Sequence, residues 1–171
     1  MAWKELSAAW PHEGIDAGGI RNHQIYVNST ASTTKTRIYK GSIIIGTDDG
    51  YAENGGSGLA SGDCFLGIAA ADVTWKATDS NVYVPVWTTG AFWLYHDGAA
   101  KTDLYAAFEV ANNNATHGPV AVDDYGTTEI PVGIAIDYYD SGDADMLLID
   151  ISGVAGTVLG LKGWNETEDA E

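Results

Sequence analysis

GAFWLYHDG, residues 90–98, is the stretch on which the reading of this chain turns. Four large apolar or aromatic side chains, Phe92 to Tyr95, run together behind a glycine and then meet a His-Asp pair. Successive side chains of a strand point to opposite faces, so Phe92 and Leu94 share one face while Trp93 and Tyr95 share the other. If the first pair fills a core, the second must be covered by an arm of the chain, a neighbouring subunit or a ligand. AFWLY is therefore read as a strand with two apolar faces, which points to an interface. The same geometry argues against His96 and Asp97 as a catalytic dyad, because adjacent strand residues do not face each other. Asp97-Gly98 is read as the turn that closes the strand.

Outward from this strand the chain alternates strand and turn signals. Ile43-Ile44-Ile45 is β-branched throughout and ends at the turn Asp48-Asp49-Gly50. CFLGIAA (64–70), VYVPVW (82–87), VAVDD (120–124), IPVGIAID (130–137) and MLLIDI (146–151) follow the same pattern. Their spacing predicts an all-β fold, an antiparallel barrel or sandwich. In VYVPVW, Val82, Val84 and Val86 take one face, and Pro85, which lacks a ladder donor, places the strand at an edge or bulge. In IPVGIAID, Ile130, Val132, Ile134 and Ile136 are expected on one face. The small Pro131, Gly133 and Ala135 on the reverse leave room for another backbone or subunit. At most one short helix is expected, capped by Thr102 or Asp103 and running through Leu104, Tyr105 and Phe108.

Three segments are distinguished. Residues 1–36 read as an extended N-terminal arm, holding Trp3, Trp10 and one short strand, QIYV (24–27). Residues 37–164 form the β domain, and 165–171 an acidic flexible tail. With 45% hydrophobic and 19% charged residues, the 171-residue chain suits a globular domain, and its 21 glycines suit short strands and tight turns.

A formal charge of −16 repels phosphates and anionic headgroups, and no Lys/Arg cluster offers an exception. Neither nucleic acid nor a membrane is an expected partner. MAWKELSAAWPHEG lacks an apolar segment of signal-peptide length, so synthesis in the cytoplasm without export by that route is expected. Cys64 is the only cysteine, sits in an apolar setting and reads as a buried small hydrophobe. The sequons at Asn28, Asn114 and Asn165 are read as chance matches.

The familiar chemical motifs are missing. GGSGLASG lacks both the last glycine of a nucleophile elbow and the Lys-Ser/Thr ending of a phosphate loop. There is no H-E-x-x-H and no C-x-x-C. Asp140, Asp143 and Asp145 gather around a glycine, but their spacing is not that of an EF-hand, and a polar hairpin loop is the better reading than a calcium site. No catalytic residue, cofactor or metal is expected. Trp75, Trp87, Trp93, Tyr83 and Tyr95 are of the kind that stacks on sugar rings, although a Gly-rich β domain needs such side chains in its core.

The region from about 40 to 151 resembles the small β-barrel decoration (cement) proteins of tailed-phage capsids. The resemblance is carried by the order of Gly41–Ile45, Phe65–Val73, Thr89-Gly90 leading into Phe92–Tyr95, Leu104–Ala107, and Val132–Ala135 with Met146–Ile151. It implies a non-enzymatic protein of the virion exterior that binds the major capsid protein on an expanded shell, often as a homotrimer at local three-fold positions. Trp3, Trp10, Trp93 and Tyr95 are the expected interface residues. The long arm and the stretch after Ile151 depart from a minimal barrel of this kind. The alternative is a carbohydrate-binding, lectin-like β module of a virion or secreted protein.

Overall fold

The computed structural model describes residues 19–25, 36–47, 49–55, 62–111, 118–126, 130–140 and 145–154. Their regular structure is antiparallel β-sheet, with only two single turns of 3-10 helix, Lys101–Asp103 and Gly118–Val120. The fold is all-β, as the spacing of strand and turn signals predicts.

A first five-stranded sheet is built from β1 (Ile20–Gln24), β3 (Ile43–Gly46), β4 (Ala52–Asn54), β5 (Cys64–Ala69) and β7 (Tyr83–Trp87), in the order β1-β7-β5-β3-β4. A second is built from β8 (Ala91–Tyr95), β9 (Ala107–Val110), β10 (Val122–Asp124), β11 (Pro131–Tyr139) and β12 (Met146–Asp150), in the order β10-β9-β11-β12-β8. A small pair, β2 (Thr36–Ile38) with β6 (Val73–Trp75), completes the set. The sheets are sandwich-like, and no closed barrel forms among the described residues. Each five-stranded sheet nevertheless curls until its edges touch at one parallel bridge, Ile25 with Ala52 in the first and Tyr95 with Ala121 in the second.

Burial follows from the two-sided character of β3 and β5, every residue of which is buried. Ile43, Ile45, Phe65 and Ile68 face the second sheet and join Phe92, Leu94, Phe108 and Ile149 in the larger core. Ile44, Cys64, Leu66 and Ala69 face away and join Val84, Val86, Ile38 and Trp75 in a smaller core beneath β2 and β6. A bulge maintains this division. Ile44 opposes Gly67 and Ile45 opposes Phe65, which leaves Leu66 as the extra residue. Without it Ile68 and Ala69 would exchange faces. Gly67 itself lies at φ +137°, and a Cβ there would stand 2.1 Å from the Trp87 carbonyl oxygen.

Several expectations change in detail. Of the strand expected at 24–27, Gln24 ends β1 and Ile25 bridges to Ala52, while Tyr26 and Val27 lie outside the described residues. β1 itself runs over Ile20–Gln24, so part of the segment 1–36 is strand, paired along its whole length with β7. That pairing makes β7 an interior strand, not an edge. Pro85 is tolerated because the β5 ladder covers only Val86 and Trp87, and the Pro85 carbonyl accepts the Ala70 N–H at 2.7 Å just beyond it. The helix expected over 102–108 is one 3-10 turn: the Asp103 carboxylate accepts the Ala100 N–H at 2.7 Å and closes it. Phe108 and Val110 then need extended backbone for both to reach the core, and β9 supplies it.

In IPVGIAID the single apolar face is broken by two bulges, one between Pro131 and Gly133 and one between Ala135 and Asp137. Ile130, Val132 and Ala135 are buried, whereas Ile134 and Ile136 are exposed. Gly133 does admit another backbone, since a Cβ there would meet the Asp150 carbonyl oxygen at 2.2 Å.

Gly67→Ala combines a positive φ with a backbone clash and is expected to cost about 3 kcal/mol or more, lowering Tm by roughly 6–12 °C. Gly50→Ala also has a positive φ, but open space around it, and is expected to cost about 1 kcal/mol. Urea unfolding of the two variants checks the difference.

Candidate functional site

The outer face of the second sheet, opposite its core face, gathers aromatic and apolar side chains that belong to neither core, of which Leu148 and Ala91 are already buried. Register organises them in rows. Tyr95, Met146 and Tyr139 lie side by side across β8, β12 and β11. Trp93, Leu148 and Asp137 form the next row, and Ala91, Asp150 and Ile134 the third. Phe92 and Leu94 point the other way and are fully buried, while Trp93 and Tyr95 are half-buried. The two-faced reading of AFWLY therefore holds, and β8 is an edge strand of its sheet.

The β11 bulge decides who joins the patch. Period-two alternation from Ile134 would place Ile136 and Tyr138 on this face. The extra residue at 136 instead aligns Asp137 with Leu148 and Tyr139 with Met146. Tyr139 is 56% exposed and Ile134 48%. Beside the bulge, Tyr105 donates its N–H to the Ala135 carbonyl at 2.8 Å. It sits at φ +71° with 80% of its surface exposed, an aromatic held outward on backbone that a non-glycine residue rarely adopts. Sequence reasoning missed Tyr105, Ile134, Tyr139 and Met146. The adjacent Tyr138-Tyr139 pair was visible, but which of the two faces outward depends on the bulge.

Carboxylates border these rows. Burial, followed by the nearby charges of Asp97 and Asp145, pushes the Tyr95 phenol above its ordinary range. Lys101 is the only Lys or Arg between residues 77 and 160. A face so arranged offers ring surfaces for stacking and carboxylates as hydrogen-bond acceptors, and it repels anions.

His96 is structural. It is 9% exposed, one ring nitrogen, Nδ1, lies 3.1 Å from the Val122 carbonyl oxygen, and the ring meets Phe108 edge-on at 5.0 Å. Through that contact it ties the end of β8 to β10, beside the Tyr95–Ala121 bridge. Asp97-Gly98 forms the expected turn, with Gly98 at φ +79°. Cys64 is 8% exposed in the smaller core, and burial raises its thiol pKa. Asp140 is exposed and Asp145 is half-buried, the latter's carbonyl accepting the His96 N–H at 3.2 Å; Asp143 lies outside the described residues. Trp3 and Trp10 also lie outside them, so of the four expected interface residues the face brings together Trp93 and Tyr95. Among the described residues no group of three His, Cys, Asp or Glu side chains is placed to hold a metal, and no helix is long and apolar enough to cross a membrane.

Glu109, fully buried, stands opposite Asp123 across β9 and β10 and accepts the Gly126 N–H at 2.9 Å. Burial raises the Asp123 carboxyl above its ordinary range; Glu109 and Asp124 push it further up, and His96 acts in the opposite direction. Compared with known proteins, the chain matches no family model, no curated protein and no solved structure.

The raised Asp123 means that its charged form is disfavoured in the fold. That cost is fully present above the folded pKa and is relieved as pH falls toward the unfolded value near 3.8. Asp123→Asn is expected to stabilise the protein at pH 7 by less than about 1 kcal/mol, with the gain gone by about pH 4. Urea unfolding at the two pH values checks the sign.

Proposed function

We propose that this chain is a structural protein of the virion that binds the outer surface of an expanded tailed-phage capsid and staples neighbouring major capsid protein subunits. The observation that carries the reading is the aromatic outer face of the second sheet, set on strands whose opposite side chains fill the larger core. The strands that form it, β8, β11 and β12, hold three of the segments on which the resemblance to capsid decoration proteins rests. Two more of those segments supply β3 and β5.

Function in this reading is mechanical. A protein that binds the assembled shell but not its dissociated subunits stabilises the shell by linkage. Repetition over the lattice lets modest contacts add through avidity when each molecule, or a trimer of them at a local three-fold position, touches several subunits. The −16 charge suits the capsid exterior better than a surface facing packaged DNA. A second reading, a lectin-like module, is favoured by one observation: exposed Tyr139 lies two residues from exposed Asp137 on one face, a ring and an acceptor of the kind that sugar sites use.

Co-sedimentation with expanded, undecorated shells tests the proposal. Saturable binding at a fixed ratio to coat protein, with a raised shell melting temperature, is expected; no binding at micromolar protein overturns it and leaves a glycan screen as the next step. Deleting residues 1–18 spares β1 and is expected to weaken binding through loss of Trp3 and Trp10, with unfolding of the remaining chain unchanged. Undiminished binding would remove those two residues from the mechanism.

A further inference from the structure

The charges around the aromatic rows narrow what can cover them. Asp137 lies within the middle row and Asp150 within the third, while Asp97 and Asp145 are close enough to Tyr95 to act on its phenol. Lys101 is the one described cation in the half of the molecule that contains the second sheet. The remaining described cations, Arg21, Arg37, Lys40 and Lys76, lie on or beside β1, β2 and β6. Carboxylates occur in both halves, Asp72 and Asp79 among those near the cations, but nearly all the described positive charge lies in the first. The carboxylates about the aromatic rows therefore have only Lys101 among described cations in their half.

This pattern disfavours a second copy as the occupant. A two-fold pairing of the face sets Asp137, Asp145 and Asp150 of one copy against the same carboxylates of the other. Each like-charge pair at about 4 Å costs about 1–4 kcal/mol, depending on how much water is excluded. A head-to-tail contact would have to use the cations of the first half, and these are partly engaged. Arg37 is ion-paired with Asp72 and stacked over Tyr39, while Lys40 lies over the Trp87 ring at 5.3 Å.

We infer that the outer face of the second sheet is a heterologous docking surface for a different protein, whose matching patch has an apolar centre and a rim of Lys and Arg. The identity of that protein as the capsid shell rests on the function proposed above; the face and the chemistry of its partner rest on the rows and their charges. Trp93, Tyr95, Tyr139 and Ile134 supply the desolvated centre, and the carboxylates orient the partner and hasten its approach. Trimer contacts, in a homotrimer, then belong to other surfaces of the molecule.

The test uses the full chain, expanded shells and two substitutions at exposed positions, Tyr139→Ser and Asp137→Lys, with circular dichroism and urea unfolding to verify the fold. Each variant is expected to bind shells about tenfold more weakly or worse. Wild-type affinity is expected to fall several-fold between 50 and 500 mM NaCl, a dependence that Asp137→Lys flattens. Wild-type binding that both variants retain, or that is indifferent to salt and competed by free sugars, overturns the docking face while leaving a shell-binding protein. Absence of wild-type binding overturns the functional reading and this surface with it. Sedimentation velocity supplies the last control: a wild-type oligomer that Asp137→Lys dissociates would make the face a self-contact and also overturn the inference.

Discussion

Burial of β3 and β5 on both faces is the constraint from which the rest of the structure follows. Ile43 and Ile45 must satisfy one core while Ile44 satisfies another, and β5 must match them across the ladder. Two layers then have to exist, one on each side. The second sheet covers the larger core and the β2–β6 pair, with Ile38 and Trp75, covers the smaller. Phase along β5 is therefore critical: unbroken alternation from Leu66 to Ile68 would present Ala69 to the larger core and Ile68 to the smaller. The bulge at Leu66 and the glycine beside it keep both assignments, at a place where the Trp87 backbone approaches too closely for any side chain.

The same device recurs where the molecule meets its surroundings. Two bulges in β11 turn Val132 and Ala135 to the core and leave Ile134, Asp137 and Tyr139 on the outer face. Placing a carboxylate and a tyrosine where a regular strand would carry Ile136 and Tyr138 changes a plain apolar stripe into aromatic rows with an acidic component. An exposed apolar stripe invites indiscriminate association. Rows bordered by like charge select for a partner of opposite charge and discourage self-pairing. Positive-φ Tyr105, backbone-bonded to Ala135 beside the second bulge, belongs to the same irregularity.

Legibility differed from strand to strand. AFWLY carried its fate openly, because five residues of strict alternation without glycine or proline leave no room for a change of phase, and both faces fell as the pattern required. VYVPVW gave the correct faces for Val84, Val86 and Trp87, but Pro85 pointed to an edge or bulge when its missing donor merely falls beyond the end of a short ladder. IPVGIAID misled more deeply. Its perfect apolar alternation describes a strand that the fold twice interrupts. Of the docking face, Trp93 and Tyr95 were readable from the strand itself, whereas Tyr139, Ile134 and Met146 joined them only through register with other strands.

The amino-acid sequence by itself did not place β9 or the short strands β2, β4 and β6. It determined the fold class, the positions of β3, β5, β7, β8, β10, β11 and β12 to within a few residues, the burial of Cys64 and the structural use of Asp97-Gly98. These depend on local propensity, turn chemistry and the period of apolar residues, all of which act over a few neighbours. Tertiary structure alone decided the order of strands, the division of Ile43, Ile44 and Ile45 between two cores, the placement of the bulges and the charge pattern of the outer face. Each of these depends on which distant strand lies alongside. A one-residue difference in that pairing reverses every side chain beyond it, and nothing local records the choice.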